Sequence, residues 1–142
     1  MIVSSTTSNI KLRILVVDDE QDILLGLNAL LRGQGHCVRT FDNSSEALRH
    51  FTSGEHTPYD LVITDYRMPG SISGLDLAKR VREHTRRKTK VFLMTAFDIS
   101  SIRELSEALK SGIVDEIIQK PFPNDRLIAV IEKSFLHHNH NH

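Results

Sequence analysis

Two adjacent aspartates, Asp18 and Asp19, follow a short apolar run at 12–17 (LRILVV), and a third, Asp65, follows another at 61–64 (LVIT). Thr95 closes the run VFLMT at 91–95, and Lys120 comes directly after EIIQ at 116–119. Crowded carboxylates repel, and a buried unpaired charge is costly, so such a group needs a lysine, a cation or shifted pKa values to persist. Lys120 supplies one positive charge against the three carboxylates and leaves a surplus of two negative charges. A hard divalent ion, Mg2+ above all, balances that surplus and suits one or two carboxylates together with water and phosphate oxygens. Taken singly, each residue has a plainer use. Aspartate after a strand caps helices, and lysine before Pro121 suits a solvated turn.

The elements that must position these residues alternate along the chain. After the run at 12–17, residues 21–32 place Ile23, Leu24, Leu27, Leu30 and Leu31 at helical spacing and close at Gly33. A strand over 37–41 and a helix capped by Ser44 or Ser45 and reaching 53 come next, then the strand 61–64. A loop with Pro69, Gly70 and Gly74 leads to a helix over 75–84 and a strand over 91–95. A helix over 99–110, a strand over 116–119 and a helix opening at Pro123 or Asn124 complete the pattern; that last helix carries Leu127, Ile128, Ile131 and Phe135 on one face. Repeated strand–helix units demand parallel strands with right-handed crossovers, hence an α/β doubly wound sheet. Such sheets bind ligands beyond the carboxyl ends of their strands, where Asp18, Asp19, Asp65, Thr95 and Lys120 all fall.

The 142 residues suit one domain, and 18 basic against 18 acidic side chains give no net charge with which to attract a phosphate backbone or an anionic membrane. The lone Cys37 has no disulfide partner in the chain and reads as a small buried apolar residue, and the first residues lack the signature of a secretion signal. No run approaches the length of a membrane span, so a cytoplasmic protein is expected. Residues 1–11 read as a flexible arm, 12–136 as the folded domain, and 137–142 (HHNHNH) as a histidine-rich solvated tail. Seven basic residues fall within 79–90, where cations suit a helix C-terminus, so a solvated end is expected there. Met68 and Met94 read as packing.

The runs LRILVVDDE, LVITDYRMPG followed by GLDL, VFLMTAF and QKPF together resemble the receiver domain of two-component response regulators, over about 12–136. The resemblance implies a five-stranded parallel sheet in order 2-1-3-4-5 with five helices, the flavodoxin-like receiver fold. It implies a phosphoryl group accepted on Asp65 from a histidine kinase or histidine phosphotransfer protein. Mg2+ would be ligated by Asp19, Asp65 and the backbone carbonyl of Arg67, with Asp18 acting mainly through water. Lys120 would pair first with Asp65 and then with phosphate, and Thr95 would donate its hydroxyl to a phosphoryl oxygen. Signalling would pass to a downstream protein through the fourth helix, fifth strand and fifth helix, a face that also suits a homodimer. With so little chain outside the domain, output is expected to lie in another protein.

Three residues before Lys120 many receivers carry an aromatic ring that swings inward; this chain has Ile117. The stretch 112–120 and the loop 69–74 each look one residue longer than common. Arg67 and Phe97 are expected to flank the phosphoryl group and obstruct water, so that the domain loses phosphate slowly. It is read as a signalling domain rather than an enzyme. A phosphatase would want an aspartate at position 67, and a nucleotide carrier a glycine- or hydroxyl-rich loop where this chain has DDEQD. The alternative is a pseudo-receiver that binds partners with weak or no phosphorylation-dependent switching. Direct DNA binding is not expected, since every helix is needed to cover the sheet.

Overall fold

The computed structural model describes residues 10–85, 88–96 and 102–139. Five strands, β1 (Arg13–Val17), β2 (Cys37–Phe41), β3 (Leu61–Asp65), β4 (Lys90–Thr95) and β5 (Glu116–Gln119), form a parallel sheet in order β2-β1-β3-β4-β5. They alternate with α1 (Gln21–Gly33), α2 (Ser44–Thr52), α3 (Gly74–Thr85), α4 (Arg103–Ser111) and α5 (Asn124–Asn139). The expected α/β architecture and strand order are those observed.

Because strand side chains alternate, each central strand feeds two cores. Ile14, Val16, Leu61, Ile63, Phe92 and Met94 turn to the face covered by α1 and α5, where Leu24, Leu27, Leu31, Leu127 and Ile131 are buried. Leu15, Val17, Val62, Val91 and Leu93 meet Ala47, Phe51, Leu77, Val81 and Leu105 of α2, α3 and α4 on the other. Each fully buried leucine or isoleucine contributes about 1.5–3 kcal/mol relative to an exposed one, so both faces hold the sheet firmly. Met68 and Met94 are packed inside, as expected.

Several boundaries differ from the sequence reading. Asn43, not a serine, caps α2: its side chain accepts from the Glu46 N–H at 2.9 Å, while Ser44 lies within the first turn and is fully buried. Helix α4 begins at Arg103 rather than 99, because Ile102 is extended, at φ −123° and ψ 106°. Helix α5 continues to Asn139, into the histidine stretch read as a tail, and Ile10, assigned to the arm, packs against the core. The rest of the arm, 1–9, and residues 140–142 lie outside the described residues.

Cys37 is exposed rather than buried, because it opens an edge strand beside a cleft. The basic stretch is not wholly solvated: Arg82 donates to the Thr89 and Ile113 carbonyls and pairs with Asp115 at 3.0 Å, stitching α3 to the entrances of β4 and β5. The residues between α4 and β5 are taken up by Gly112, at φ 82°, and by Ile113 and Val114, whose N–H groups both reach the Ala108 carbonyl.

Candidate functional site

The chain reverses its direction of travel across the sheet between β1 and β3, and such a switch point opens a crevice at the strand ends. Asp18 and Asp19 follow β1, Asp65 closes β3, Thr95 closes β4 and Lys120 follows β5. The structure brings all five together. Asp19, Asp65, Thr95 and Lys120 line one cleft of about 310 Å³, with Glu20, Tyr66, Arg67, Pro69 and Ala96.

Asp18 is fully buried and stands behind the cleft wall. Its Oδ1 accepts from the Glu20 N–H at 2.9 Å and its Oδ2 from Lys120 Nζ at 2.9 Å, so both oxygens are engaged. Lys120 Nζ also lies 2.9 Å from Asp65 Oδ1 and 3.8 Å from Glu20 Oε2. One ammonium therefore bridges the carboxylates that follow β1 and close β3. The Lys120 N–H donates to the Thr95 carbonyl at 2.7 Å, which keeps that side chain beside the end of β4.

Carboxylate oxygens of Asp18, Asp19 and Asp65 lie within 4.8 Å of one another. Three oxygens at that separation, with Asp19 exposed and Asp65 lining the cleft, fit a hard divalent cation of the Mg2+ class. The electrostatics are those of a charged site short of countercharge. Burial raises the Asp65 pKa; the Lys120 hydrogen bond opposes this, while Asp18 and Asp19 add to the rise. Burial alone would lower the Lys120 pKa, yet its hydrogen bonds to Asp18 and Asp65 outweigh it and raise the value above 10.5.

The loop after Asp65 is held in place by contacts that the sequence reading missed. Gly74 donates its N–H to the Tyr66 carbonyl at 2.9 Å, and a Cβ at position 74 would stand 1.9 Å from the Asp65 carbonyl oxygen. Only a residue without a side chain lets α3 start there. Ser71 sits at the tip of the same loop: its Oγ meets Ser44 Oγ at 2.7 Å and accepts from the Ser45 N–H at 3.0 Å. Ser44 also donates to the Ile72 carbonyl. The extra residue suspected in this loop thus accompanies a serine cluster that ties it to α2.

Tyr66, directly after Asp65, donates its hydroxyl to Glu104 in the first turn of α4. The adjacency of Tyr66 to the aspartate was visible in sequence, but its partner, 38 residues away, was not. Ile117 is buried among Leu93, Leu105 and Val114, as an aliphatic residue there should be. Phe97, expected beside Arg67 at the cleft, lies outside the described residues.

A model of the response regulator receiver domain matches residues 14–132. The transcriptional regulatory protein ZraR of Salmonella typhimurium is 36% identical over 127 residues, which are 89% of this chain and 27% of that protein. The transcriptional regulatory protein DltR of Streptococcus agalactiae is 36% identical over 120 residues, 84% of this chain and 50% of that one. The chain thus spans between about a quarter and a half of these relatives. Among solved structures, the response regulator protein TrrA of Thermotoga maritima, in complex with Mg2+ and BeF, is 40% identical, with a TM-score of 0.69 over 85% of this chain and 96% of that one. A response regulator receiver domain protein of Clostridium thermocellum is 30% identical, with a TM-score of 0.77 over 92% and 99%. Among the described residues no helix is long and apolar enough to cross a membrane.

Proposed function

The chain belongs to the response regulator receiver domain family, and from that premise we propose that it takes a phosphoryl group onto Asp65 from a phosphohistidine of a kinase or phosphotransfer protein. The observation that carries this reading is the Lys120 ammonium, 2.9 Å from both Asp18 and Asp65, in a cleft where three carboxylates converge. Phosphoryl transfer asks mainly for in-line positioning and neutralised oxygens. Asp65 supplies the nucleophilic carboxylate: a new P–O bond forms as the P–N bond breaks, and the departing electron pair returns to the imidazole.

Asp18, with both oxygens engaged, holds Lys120 in place, and Lys120 exchanges its bond to Asp65 for one to a phosphoryl oxygen. Thr95, at the end of β4, offers a hydroxyl to a second oxygen. Asp19, Asp65 and the Arg67 carbonyl would hold Mg2+, which when bound supplies countercharge to the carboxylates and phosphoryl oxygens.

Phosphorylation adds about −1.5 to −2 charge, and a loop and helix face read it out. We assign the read-out to α4, β5 and α5, facing a downstream protein or a second copy, with no direct DNA contact. Arg67 stands at the cleft, where its bulk hinders water, so the phosphoaspartate is long-lived and Arg67→Ala shortens its life severalfold in a direct chase.

Intact mass after incubation with a small-molecule phosphodonor tests the central reading. Wild type gains one phosphoryl group with Mg2+ and none under chelation, and Asp65→Asn gains none. Equal labelling of wild type and variant removes Asp65 as acceptor.

A further inference from the structure

At the opposite, amino end of the sheet lies a cleft of about 250 Å³ whose walls are strongly cationic. Arg13 opens β1, and Arg39 lies on the neighbouring edge strand, where Cys37 pairs with Arg13 and Arg39 with Leu15; the two arginines therefore share a sheet face. Arg32, from the last turn of α1, reaches the same cleft, and His50 of α2, His56 and Tyr59 complete it.

Three features set this cleft apart from a scatter of surface arginines. Among the described residues, no side-chain nitrogen of Arg13, Arg32 or Arg39 lies within 4.0 Å of a carboxylate. The nearby Asp60 carboxylate is taken by the Arg13 backbone N–H at 2.8 Å, and Glu55, the one acidic residue of the lining, pairs with none of the three guanidinium groups. With both imidazoles neutral, the lining keeps a surplus of two positive charges. The Arg13 Nε is buried and has no hydrogen-bond partner. Its guanidinium is nevertheless held, 5.4 Å from the centroid of the buried Tyr59 ring, which in turn is fixed by a 2.7 Å hydrogen bond between its hydroxyl and His50 Nε2. Arg39 lies 5.1 Å from the Phe41 ring centroid, and Arg32 is held by Asn28 Oδ1 at 2.8 Å and the Val38 carbonyl at 2.7 Å. Three like charges are thus fixed around the cleft without the anion that would ordinarily accompany them. The same crowding shows in His50, whose pKa is lowered first by burial and then by the neighbouring His56, Arg39 and Arg13.

We propose that this cleft is a second ligand site, separate from the Asp65 pocket, which binds a small oxyanion of the phosphate-monoester class through Arg13, Arg32 and Arg39. Guanidinium forks match phosphate oxygens bidentately, and three of them favour a dianion over a single carboxylate. The volume suits a small phosphate ester rather than a dinucleotide. The proposal does not depend on phosphorylation of Asp65.

The test is a titration of the whole chain, without Mg2+, followed by the NMR signals of the His50 and His56 rings and of the Arg13 Nε–H. Inorganic phosphate, succinate and potassium chloride are compared at matched ionic strength. Phosphate produces saturable shifts and chloride does not. The exposed Arg39→Gln, which leaves the core untouched, weakens phosphate binding about tenfold, as expected for loss of one charge-assisted contact. Asp65→Asn leaves it unchanged. Shifts that never saturate, saturation by succinate with none by phosphate, undiminished binding in Arg39→Gln, or loss of binding in Asp65→Asn would each overturn the assignment. Should Arg13→Gln fold, it loses the Nε–H signal and the affinity together; should it not, the Arg39 variant still decides the matter.

Discussion

The Tyr66 hydroxyl donates a hydrogen bond to the Glu104 carboxylate, fastening the residue beside Asp65 to the first turn of α4. The Tyr66 pKa is pushed up to about 12 by burial first and then by Glu104, so the donor keeps its proton throughout the physiological range. With Ile117 buried in place of a mobile ring, this bond offers a direct link between the proposed acceptor Asp65 and the face proposed for read-out. Tyr66→Phe removes it at a cost of about 1 kcal/mol in urea unfolding. Amide exchange in the first turn of α4 accelerates at the same time. If exchange at Leu105 is unaltered, the bond does not order the helix.

Burial and the neighbouring carboxylates raise the Asp65 pKa despite Lys120, so the folded protein holds that proton more tightly than the unfolded chain does. The stability this group contributes is then complete below the unfolded value of 3.8 and is lost as pH rises through the folded one. Asp65→Asn should therefore melt higher than wild type at pH 7 in the absence of Mg2+, with the gain shrinking as the pH approaches 3.8. A gain that is the same at both pH values would show that ionisation is not its source.

Lys120 behaves in the opposite pH range. Its raised pKa means that stability from its two ion pairs is present below 10.5 and lost as pH rises through the folded value. Lys120→Met leaves the buried Asp18 without its cation. Breaking a buried pair from one side costs about 3–5 kcal/mol, measurable by denaturant unfolding at neutral pH.

Mg2+ should stabilise the fold by mass action, by about 1.4 kcal/mol at ten times its dissociation constant, and chelation should reverse the effect. Asp19 is exposed, so Asp19→Asn can remove a ligand without disturbing the core. In that variant the Mg2+-dependent rise in melting temperature should largely vanish. An equal rise in both proteins would place the ion elsewhere.

Two glycines make a matched pair. At Gly26, inside α1, an added methyl group would meet nothing within 4 Å, and Gly26→Ala should stabilise by about 0.5–1 kcal/mol. Gly74→Ala forces its methyl group against the Asp65 carbonyl and should destabilise by about 1–3 kcal/mol. It should also slow phosphorylation of Asp65, whereas Gly26→Ala leaves the rate alone. Unfolding curves and mass-detected phosphorylation separate the two effects.

The alternation of apolar runs and helical stripes was enough to place the five strands along the chain, because short apolar runs between amphipathic helices suit a sheet covered on both faces. Their order across the sheet was legible only through the resemblance to receiver domains. Asp18, Asp19, Asp65, Thr95 and Lys120 were legible for the same reason: each sits at a strand's carboxyl end, and the sheet carries them to one edge. Contacts that depend on the path of a loop were not legible. Ser71 meets Ser44, and Tyr66 meets Glu104, only because the chain turns at a particular place in space. Cys37 was misplaced because residue type favours burial, while its exposure follows from opening an edge strand. The cationic cleft was hidden because Arg13, Arg32 and Arg39 are separated in sequence by other elements.

The balanced composition conceals a polarity. Carboxylates gather beyond the carboxyl ends of the strands and guanidinium groups about their amino ends, separated by strands of about 17 Å at about 3.3 Å per residue. Such a molecule feels almost no net pull in a uniform field but does feel a torque, which turns one pole toward a cationic surface and the other toward an anionic one. Salt confines that torque to the last stage of an encounter, within a screening length of about 8 Å at physiological ionic strength. Orientation on approach, rather than the frequency of collision, is what the arrangement of charge governs.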